Sequence, residues 1–164
     1  MASEAAFDEL RDLYQEVILD HGRHPRNHRR LDDADRSAKG DNPMCGDRVE
    51  VFLRLAPDGR IAEASFDGRG CAISQASASL MTELVAGRTP AEASSIGAAL
   101  RILARTGSCP VCEGETRAAM ERLAPLGGVS EYPSRVKCAT LAWHALDAAL
   151  TEDGLAGEGR ASTE

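Results

Sequence analysis

The first part of the chain carries a pattern that predicts an amphipathic helix over residues 4–20. Apolar side chains recur there at three- and four-residue spacing: Phe7, Leu10, Leu13, Tyr14, Val17 and Ile18. His21 and Gly22 end this predicted helix. The following stretch, to about residue 40, is polar and contains Pro25, so we expect a surface loop there.

The pattern then changes to alternation, which predicts a β-hairpin. Residues 48–55 place Val49, Val51, Leu53 and Leu55 on one face, as in a half-buried strand. The segment Pro57–Asp58–Gly59 has the residues of a tight turn, and residues 60–67 form the expected return strand. The return strand ends at Gly68–Arg69–Gly70, directly before Cys71.

Helical patterns dominate the remainder of the chain. After Cys71 an apolar stripe predicts a helix that Gly87 ends; it consists of Ile73, Ala76, Leu80, Met81 and Leu84. The sequence Thr89–Pro90–Ala91–Glu92 has the form of a capping box and predicts a helix from Ala91 to about Arg105. A shorter helix is expected over residues 113–123, and a final one over residues 138–150. Gly127–Gly128 and Tyr132–Pro133 are expected to form the connection between them.

Together these elements predict one α+β domain over residues 1–150, with helices packed on a small antiparallel β-sheet. The segment 151–164 is rich in Gly, Glu and Ser, which indicates a disordered tail. Aromatic residues make up only 4% of the 164 residues, so aliphatic side chains and alanine must build the core.

Charge and hydropathy exclude several classes of function. The formal net charge of −7 argues against a general nucleic-acid-binding protein, which needs clustered positive charge. No run approaches the ~20 apolar residues that span a bilayer, and the N-terminal residues lack the pattern of a signal peptide. We therefore expect a cytoplasmic protein without membrane or nucleic-acid partners.

Three of the five cysteines lie at predicted junctions between a loop and a regular element: Cys45, Cys71 and Cys138. The antiparallel hairpin brings its entry, with Cys45 and Asp47, beside its exit, with Cys71. Three thiolates and one carboxylate form a four-ligand metal site. The carboxylate is the weaker zinc ligand, which favours an exchangeable functional site. A closed structural zinc site and inert buried thiols remain the alternatives.

The predicted surroundings favour thiolates. Cys71 and Cys138 are each expected at a helix N-terminus, where backbone N–H groups stabilise negative charge. Arg135 and Lys137 add positive charge beside Cys138, and Arg48 does so beside Asp47. Arg135 is a candidate for holding the charge of a released thiolate, although it could also be a solvated surface arginine.

The other two cysteines form a C-x-x-C pair, Cys109–Pro110–Val111–Cys112, which we interpret as a surface dithiol. A redox pair and half of a second metal site are the alternatives. The histidines lie far from this pair in the sequence, so the chain offers no obvious partners to complete a metal site there.

Three ordered motifs closely resemble the IscU/NifU N-terminal family of iron–sulfur cluster assembly proteins. They are Asn42–Pro43–Met44–Cys45–Gly46–Asp47, Gly68–Arg69–Gly70–Cys71–Ala72–Ile73–Ser74, and the run Arg135–Val136–Lys137–Cys138–Ala139 to Trp143. The resemblance extends over about residues 10–150. Lys137 stands where IscU scaffolds have histidine, and residues 104–129 look like the insertion of SufU-type proteins. Both features place the chain with the SufU type.

The resemblance implies an IscU/NifU-like fold and a zinc ion held by Cys45, Asp47, Cys71 and Cys138. It also implies a sulfurtransferase that accepts persulfide sulfur on Cys45 from a SufS-type cysteine desulfurase. The sulfur would then pass to a downstream cluster scaffold. Two other functions remain open: a scaffold on which a [2Fe–2S] or [4Fe–4S] cluster forms, and a zinc-stabilised adaptor without sulfur chemistry.

Overall fold

The fold is an α+β arrangement, seen in a computed structural model that describes residues 4–42, 46–108, 114–151 and 159–162. The elements are α1 (Glu4–Arg23), β1 (Arg36–Asn42), β2 (Asp47–Leu55), β3 (Ile61–Arg69), α2 (Ala72–Val85), α3 (Pro90–Thr106), α4 (Gly114–Leu123), a 3₁₀ helix (Ala124–Glu131), α5 (Pro133–Leu150) and β4 (Gly159–Ser162). The strands form one sheet in the order β3–β2–β1–β4, and the first three are antiparallel. Helix α5 packs against β1 and β2, and α2 packs against β3. The predicted fold class is confirmed.

The predicted hairpin is present as β2 and β3, with Val51 opposite Phe66. At its turn the carboxylate of Asp58 accepts a hydrogen bond from the Arg60 N–H at 3.0 Å, and Gly59 adopts a φ of 90°. The positive φ explains the glycine, because other residues adopt this conformation only with strain.

The core is built mainly from aliphatic side chains on one face of the sheet and on α2, α3 and α5. Trp143 of α5 is fully buried, and its indole N–H donates to Ser77 Oγ of α2 at 3.1 Å. The same hydroxyl donates to the carbonyl of Ala139 at 2.5 Å. These two bonds fix α2 against α5, so the helices that follow Cys71 and contain Cys138 have a defined relative position.

Strand β1 was not predicted, since residues up to about 40 read as a polar loop. Its buried residues are small or polar, Ser37, Ala38, Gly40 and Asn42, so the usual apolar alternation is missing. Small size is required there, because a Cβ on Gly40 would lie 3.1 Å from Leu141 Cδ1 of α5. Close packing of α5 on these small residues therefore explains why the segment is a strand although it lacks apolar alternation.

The last helix begins at Pro133, five residues before the predicted start at Cys138. Proline is favoured in the first turn of a helix, since it has no N–H to leave unpaired there. Tyr132–Pro133 was therefore a helix start rather than the connection that we expected. The segment before it is a 3₁₀ helix that buries Leu126 and Val129.

The predicted start of α3 is confirmed in detail. Thr89 Oγ1 accepts a hydrogen bond from the Glu92 N–H at 3.1 Å, Pro90 is the first helical residue, and Gly107 ends the helix with a φ of 78°. Helix α4 also agrees with its prediction, except that residue 113 lies outside the described residues.

The C-terminal segment contains a strand where the sequence indicates disorder. Gly159–Ser162 forms β4, which pairs in parallel with β1. A four-residue strand without large apolar residues gives no periodic signal in the sequence. The division into a domain of residues 1–150 and a disordered tail otherwise stays a proposal.

Within the ranges that the structure covers, no helix combines the length and the apolarity needed to cross a lipid bilayer.

A buried polar network attaches α1 to α2. His21 Nδ1 lies 2.7 Å from Ser79 Oγ, and Ser79 Oγ also accepts a hydrogen bond from the Arg26 N–H at 2.8 Å. Burial lowers the pKa of His21, and the positive charge of Arg26 lowers it further. The folded protein therefore favours the neutral imidazole more strongly than the unfolded chain does.

This pKa shift predicts a loss of stability in acid. Below a pH of about 6.5 the unfolded chain binds a proton at His21 more readily than the folded protein, so unfolding becomes easier as the pH falls toward the folded-state pKa. Above that window, His21 contributes no pH dependence. Urea unfolding of wild type and His21→Gln between about pH 5 and pH 8 measures how the free energy of unfolding changes with pH. We expect the free energy of unfolding of His21→Gln to depend less on pH than that of wild type, whereas the exposed control His24→Gln should match wild type. The same pH dependence in all three proteins would contradict the assignment of this effect to His21.

Candidate metal centre

Asp47, at the start of the first hairpin strand, contacts Cys71, which follows the end of the second. Asp47 is the first residue of β2 and is only 2% exposed, while Cys71 is the half-buried N-cap residue of α2. The Cys71 backbone N–H donates to Asp47 Oδ1 at 3.2 Å. The carboxylate thus stabilises the start of α2, and the hairpin geometry brings the two residues together as predicted.

Gly70 makes this contact possible. A Cβ at this position would lie 2.6 Å from Asp47 Oδ1 and 2.3 Å from Ser74 Oγ, closer than real contacts allow. Ser74 Oγ donates to the carbonyl of Cys71 at 3.1 Å. The glycine before the cysteine therefore serves close packing around the carboxylate.

Cys138 reaches the same place from α5. It lies in the second turn of that helix, is 2% exposed, and its thiol donates to the Ser134 carbonyl at 3.5 Å. The prediction that Cys138 lies at a helix N-terminus is therefore wrong, because α5 begins earlier at Pro133. The side chain still meets Asp47 and Cys71, because α5 packs across β1 and β2.

The donor atoms of Asp47, Cys71 and Cys138 all lie within 4.8 Å of one another. Ligands of a tetrahedral zinc ion with bonds of about 2.3 Å lie roughly 3.8 Å apart, so a small contraction would suffice. Two sulfurs and one carboxylate oxygen are donors that zinc accepts. The described residues therefore fit three positions of a four-coordinate zinc site.

Cys45, the fourth predicted ligand, lies outside the described residues. The residues around it are described: the Gly46 N–H donates to the Asn42 carbonyl at 2.8 Å, and Gly46 has a φ of 74°. Two peptide units bound the Cα separation of Cys45 and Asp47 at about 7 Å. A contribution of Cys45 to the site stays a prediction.

Burial disfavours the thiolate form of Cys138. Burial raises its pKa well above the ordinary value, and hydrogen bonds with Asp47 and Cys71 raise it further. The prediction that a helix N-terminus favours the thiolate of Cys138 is thus not supported. A metal that binds here must displace the proton, which makes its affinity pH-dependent.

Arg135 lies in the first turn of α5, with its guanidinium beside the thiols. A hydrogen bond with Cys71 raises the pKa of Arg135, and the nearby side chain of Cys138 adds to the effect. The side chain is exposed, so it can reach groups that approach the site from outside. The proximity that we expected of Arg135 is confirmed, while its role stays a proposal.

The other two predicted cationic neighbours differ from Arg135. Lys137 is half-buried on α5, and Arg48 is exposed on β2 next to the buried Asp47. Successive side chains of a strand point to opposite faces, so Arg48 lies on the face away from the Asp47 carboxylate.

An open cleft of about 1170 Å³ borders Cys71, and the sequence did not predict it. Cys71 and Arg135 line it together with Tyr14 and Ile18 of α1, and with Tyr132, which is 60% exposed. Four separate elements form this cleft, so no local pattern in the sequence could reveal it. It leaves one side of the candidate metal centre accessible to a partner.

Family comparison explains this combination of fold and donor residues. The family model of the NifU-like N-terminal domain matches residues 13–139, which include Asp47, Cys71 and Cys138. The chain belongs to the NifU N-terminal domain family. The resemblance that the three sequence motifs indicate is thereby confirmed.

Members of this family that are named for different functions are about equally similar to the chain. It is 37% identical over 145 residues to the zinc-dependent sulfurtransferase SufU of Bacillus subtilis (strain 168), covering 88% of this chain and 93% of the relative. It is 34% identical over 148 residues to the iron–sulfur cluster assembly scaffold protein IscU of Streptococcus pyogenes serotype M1, covering 88% of this chain and 87% of the relative.

A solved structure supports the same family fold. The crystal structure of FiSufU from Fervidobacterium islandicum AW-1, described as an iron–sulfur cluster assembly scaffold protein for the SUF system, superposes with a TM-score of 0.74. The sequences are 29% identical, and the match covers 83% of this chain and 95% of the other. The IscU/NifU-like fold of this chain is therefore confirmed.

Proposed function

We propose that this protein is a zinc-dependent sulfurtransferase of iron–sulfur cluster assembly that accepts persulfide sulfur from a SufS-type cysteine desulfurase. The observation that carries this proposal is the cluster of Asp47, Cys71 and Cys138 beside an accessible cleft. The zinc-dependent sulfurtransferase of Bacillus subtilis among the relatives supports it.

In the proposed site, Cys45, Asp47, Cys71 and Cys138 hold the zinc ion. Bound zinc would keep the thiols deprotonated at neutral pH, which the buried Cys138 does not achieve alone. Asp47 orients the site through its hydrogen bond with the Cys71 N–H, so the carboxylate is held even before the metal arrives.

Cys45 is the proposed sulfur acceptor. Its thiolate attacks the outer sulfur of the desulfurase persulfide, a new S–S bond forms on Cys45, and the desulfurase cysteine leaves as a thiolate. One S–S bond replaces another, so no external oxidant or reductant is needed. A downstream scaffold would then consume the persulfide on Cys45.

Arg135 has the position of a charge-holding residue in this exchange. Its guanidinium already lies against Cys71, and it is exposed on the side of the cleft. A fixed positive charge stabilises thiolate and persulfide anions as they approach and leave. The desulfurase would reach the thiols through the cleft, where the exposed Tyr132 offers an aromatic contact.

A cluster scaffold is the second candidate function. Relatives named as scaffolds are nearly as similar to the chain as the sulfurtransferase is, and the same thiolates can ligate iron. Lys137, in the position where the resemblance expects histidine in IscU scaffolds, favours sulfur transfer. The 3₁₀ helix and α4, in the region of the SufU-type insertion, favour it too.

Replacing Arg135 tests the proposed role of its charge. We expect Arg135→Gln to slow sulfur transfer from the desulfurase by roughly tenfold or more, with its zinc content unchanged. Arg135→Lys should recover part of the rate, because it keeps the charge but not the planar fork. The measurement is single-turnover transfer followed by intact-protein mass spectrometry.

The control for this experiment is Arg117→Gln, which removes an exposed arginine from α4. It should transfer sulfur at the wild-type rate. If Arg135→Gln also keeps the wild-type rate, Arg135 is a solvated surface residue without a role in transfer.

A further inference from the structure

The two edges of the sheet are covered in different ways. Along β3, the Phe66 N–H donates to the Asn27 carbonyl at 3.0 Å, and the Ile61 N–H donates to the Arg88 carbonyl at 2.8 Å. These partners belong to loops fixed between elements of the domain. The outer edge of β1 is instead paired with β4, which lies beyond the last helix.

The pairing of β4 with β1 is made by the backbone and has a defined register. Ala38 lies opposite Gly159, and Asp41 lies opposite Ser162, with both strands running in the same direction. A strand edge without a partner presents unpaired N–H and C=O groups, which are a template for another strand. Strand addition of this kind depends mainly on main-chain hydrogen bonds.

The direction of β4 leads it toward the candidate metal centre. Arg36, at the start of β1, donates from Nη1 to the Thr151 carbonyl at 2.5 Å, which fixes the end of α5 there. From that end of β1, β4 runs in parallel until Ser162 lies one register position before Asn42. The Asn42 carbonyl accepts the hydrogen bond from the Gly46 N–H that bridges residues 43–45.

We infer that the outer edge of β1 is a strand-docking site, and that its occupant is the chain's own C-terminal segment. Docked there, the segment restrains β1 at the point where the strand enters the stretch that contains Cys45. The segment is tethered at Thr151, so a high effective concentration offsets the small number of backbone hydrogen bonds. The inference is independent of the proposed sulfur chemistry, because it concerns backbone pairing alone.

Two neighbouring proline substitutions test the pairing, because consecutive N–H groups of a strand point to opposite sides. Of Arg160→Pro and Ala161→Pro, one removes an N–H that faces β1 and the other removes an N–H that faces away. Amide hydrogen exchange of residues 38–41 is measured in the zinc-loaded protein. The β1 amides that face β2 serve as the internal control.

We expect the proline variant that loses the N–H facing β1 to accelerate exchange of the β1 amides that face β4, by roughly tenfold or more. A chain ending at Thr151 should show the same acceleration. The other proline variant should match wild type. If the chain ending at Thr151 exchanges at the full-length rate, the inference is overturned and the tail is disordered as the sequence indicates. Protection in the full chain that grows with protein concentration would overturn it too, because a second copy would then cover the edge.

A peptide of residues 155–164 tests the site with the occupant supplied separately. Added at up to about millimolar concentration to the chain ending at Thr151, it should restore slow exchange of the same amides. It should have no effect on the full-length chain, whose edge is already filled. Failure to restore protection in the shortened chain would show that the edge does not dock this segment.

Discussion

We expect Cys45→Ser to abolish the proposed sulfur acceptance, with transfer from the desulfurase falling by roughly 100-fold or more, to the level measured without this protein. A serine hydroxyl is of similar size but is not ionised at neutral pH, so the attacking thiolate is lost. The helices should remain intact by circular dichroism, because a large apolar core packs them against the sheet. Single-turnover transfer and stimulation of desulfurase turnover are the two measurements.

The control for this variant replaces the two cysteines of the C-x-x-C pair. Cys109→Ser combined with Cys112→Ser removes two cysteines outside the three family motifs, and it should keep full sulfur acceptance. Wild-type transfer in Cys45→Ser would contradict the proposed relay. Loss of transfer in the double variant instead would assign the acceptor role to the C-x-x-C pair.

We expect Gly70→Ala to lower the affinity of the proposed site for zinc by roughly 10- to 100-fold, the range found for residues that orient metal ligands. Its Cβ would lie 2.6 Å from Asp47 Oδ1, so the carboxylate must move and lose its hydrogen bond with the Cys71 N–H. Competition with a chromophoric zinc chelator measures the affinity.

Two further variants separate this effect from a general one. Gly128→Ala adds the same methyl group where no atom lies within 4 Å, and it should bind zinc like wild type. Gly70→Ala with Ser74→Ala removes the closer clash with Ser74 Oγ but keeps the clash with Asp47. It should remain impaired. Full recovery of zinc affinity in this double variant would contradict displacement of Asp47 as the cause.

The part of the site that the sequence predicted correctly depends on local rules. Alternation and turn residues gave the hairpin, and antiparallel pairing places Arg48 opposite Arg69. That register sets Asp47 beside Cys71, so the contact follows from topology. Cys138 was placed in the site by its chemistry and by the family motif, although the start of its helix was predicted wrongly.

The features that were missed depend on contacts distant in sequence. β1 is a strand because α5 packs closely on its small residues, and Gly40 gives no apolar signal of this. The cleft forms between α1, α2, the 3₁₀ helix and α5, and β4 pairs through its backbone. The raised pKa of Cys138 results from burial, which a position near a predicted helix start did not reveal.

The most direct test of the zinc proposal is the metal content of the full chain, purified without oxygen and without added metal. The account predicts about one zinc per chain, no iron and no absorbance in the visible range, because the proposed ligands Cys45, Asp47, Cys71 and Cys138 would form one four-coordinate zinc site. Stoichiometric iron with acid-labile sulfide and a brown colour would contradict it. The protein would then be a cluster scaffold, despite Lys137.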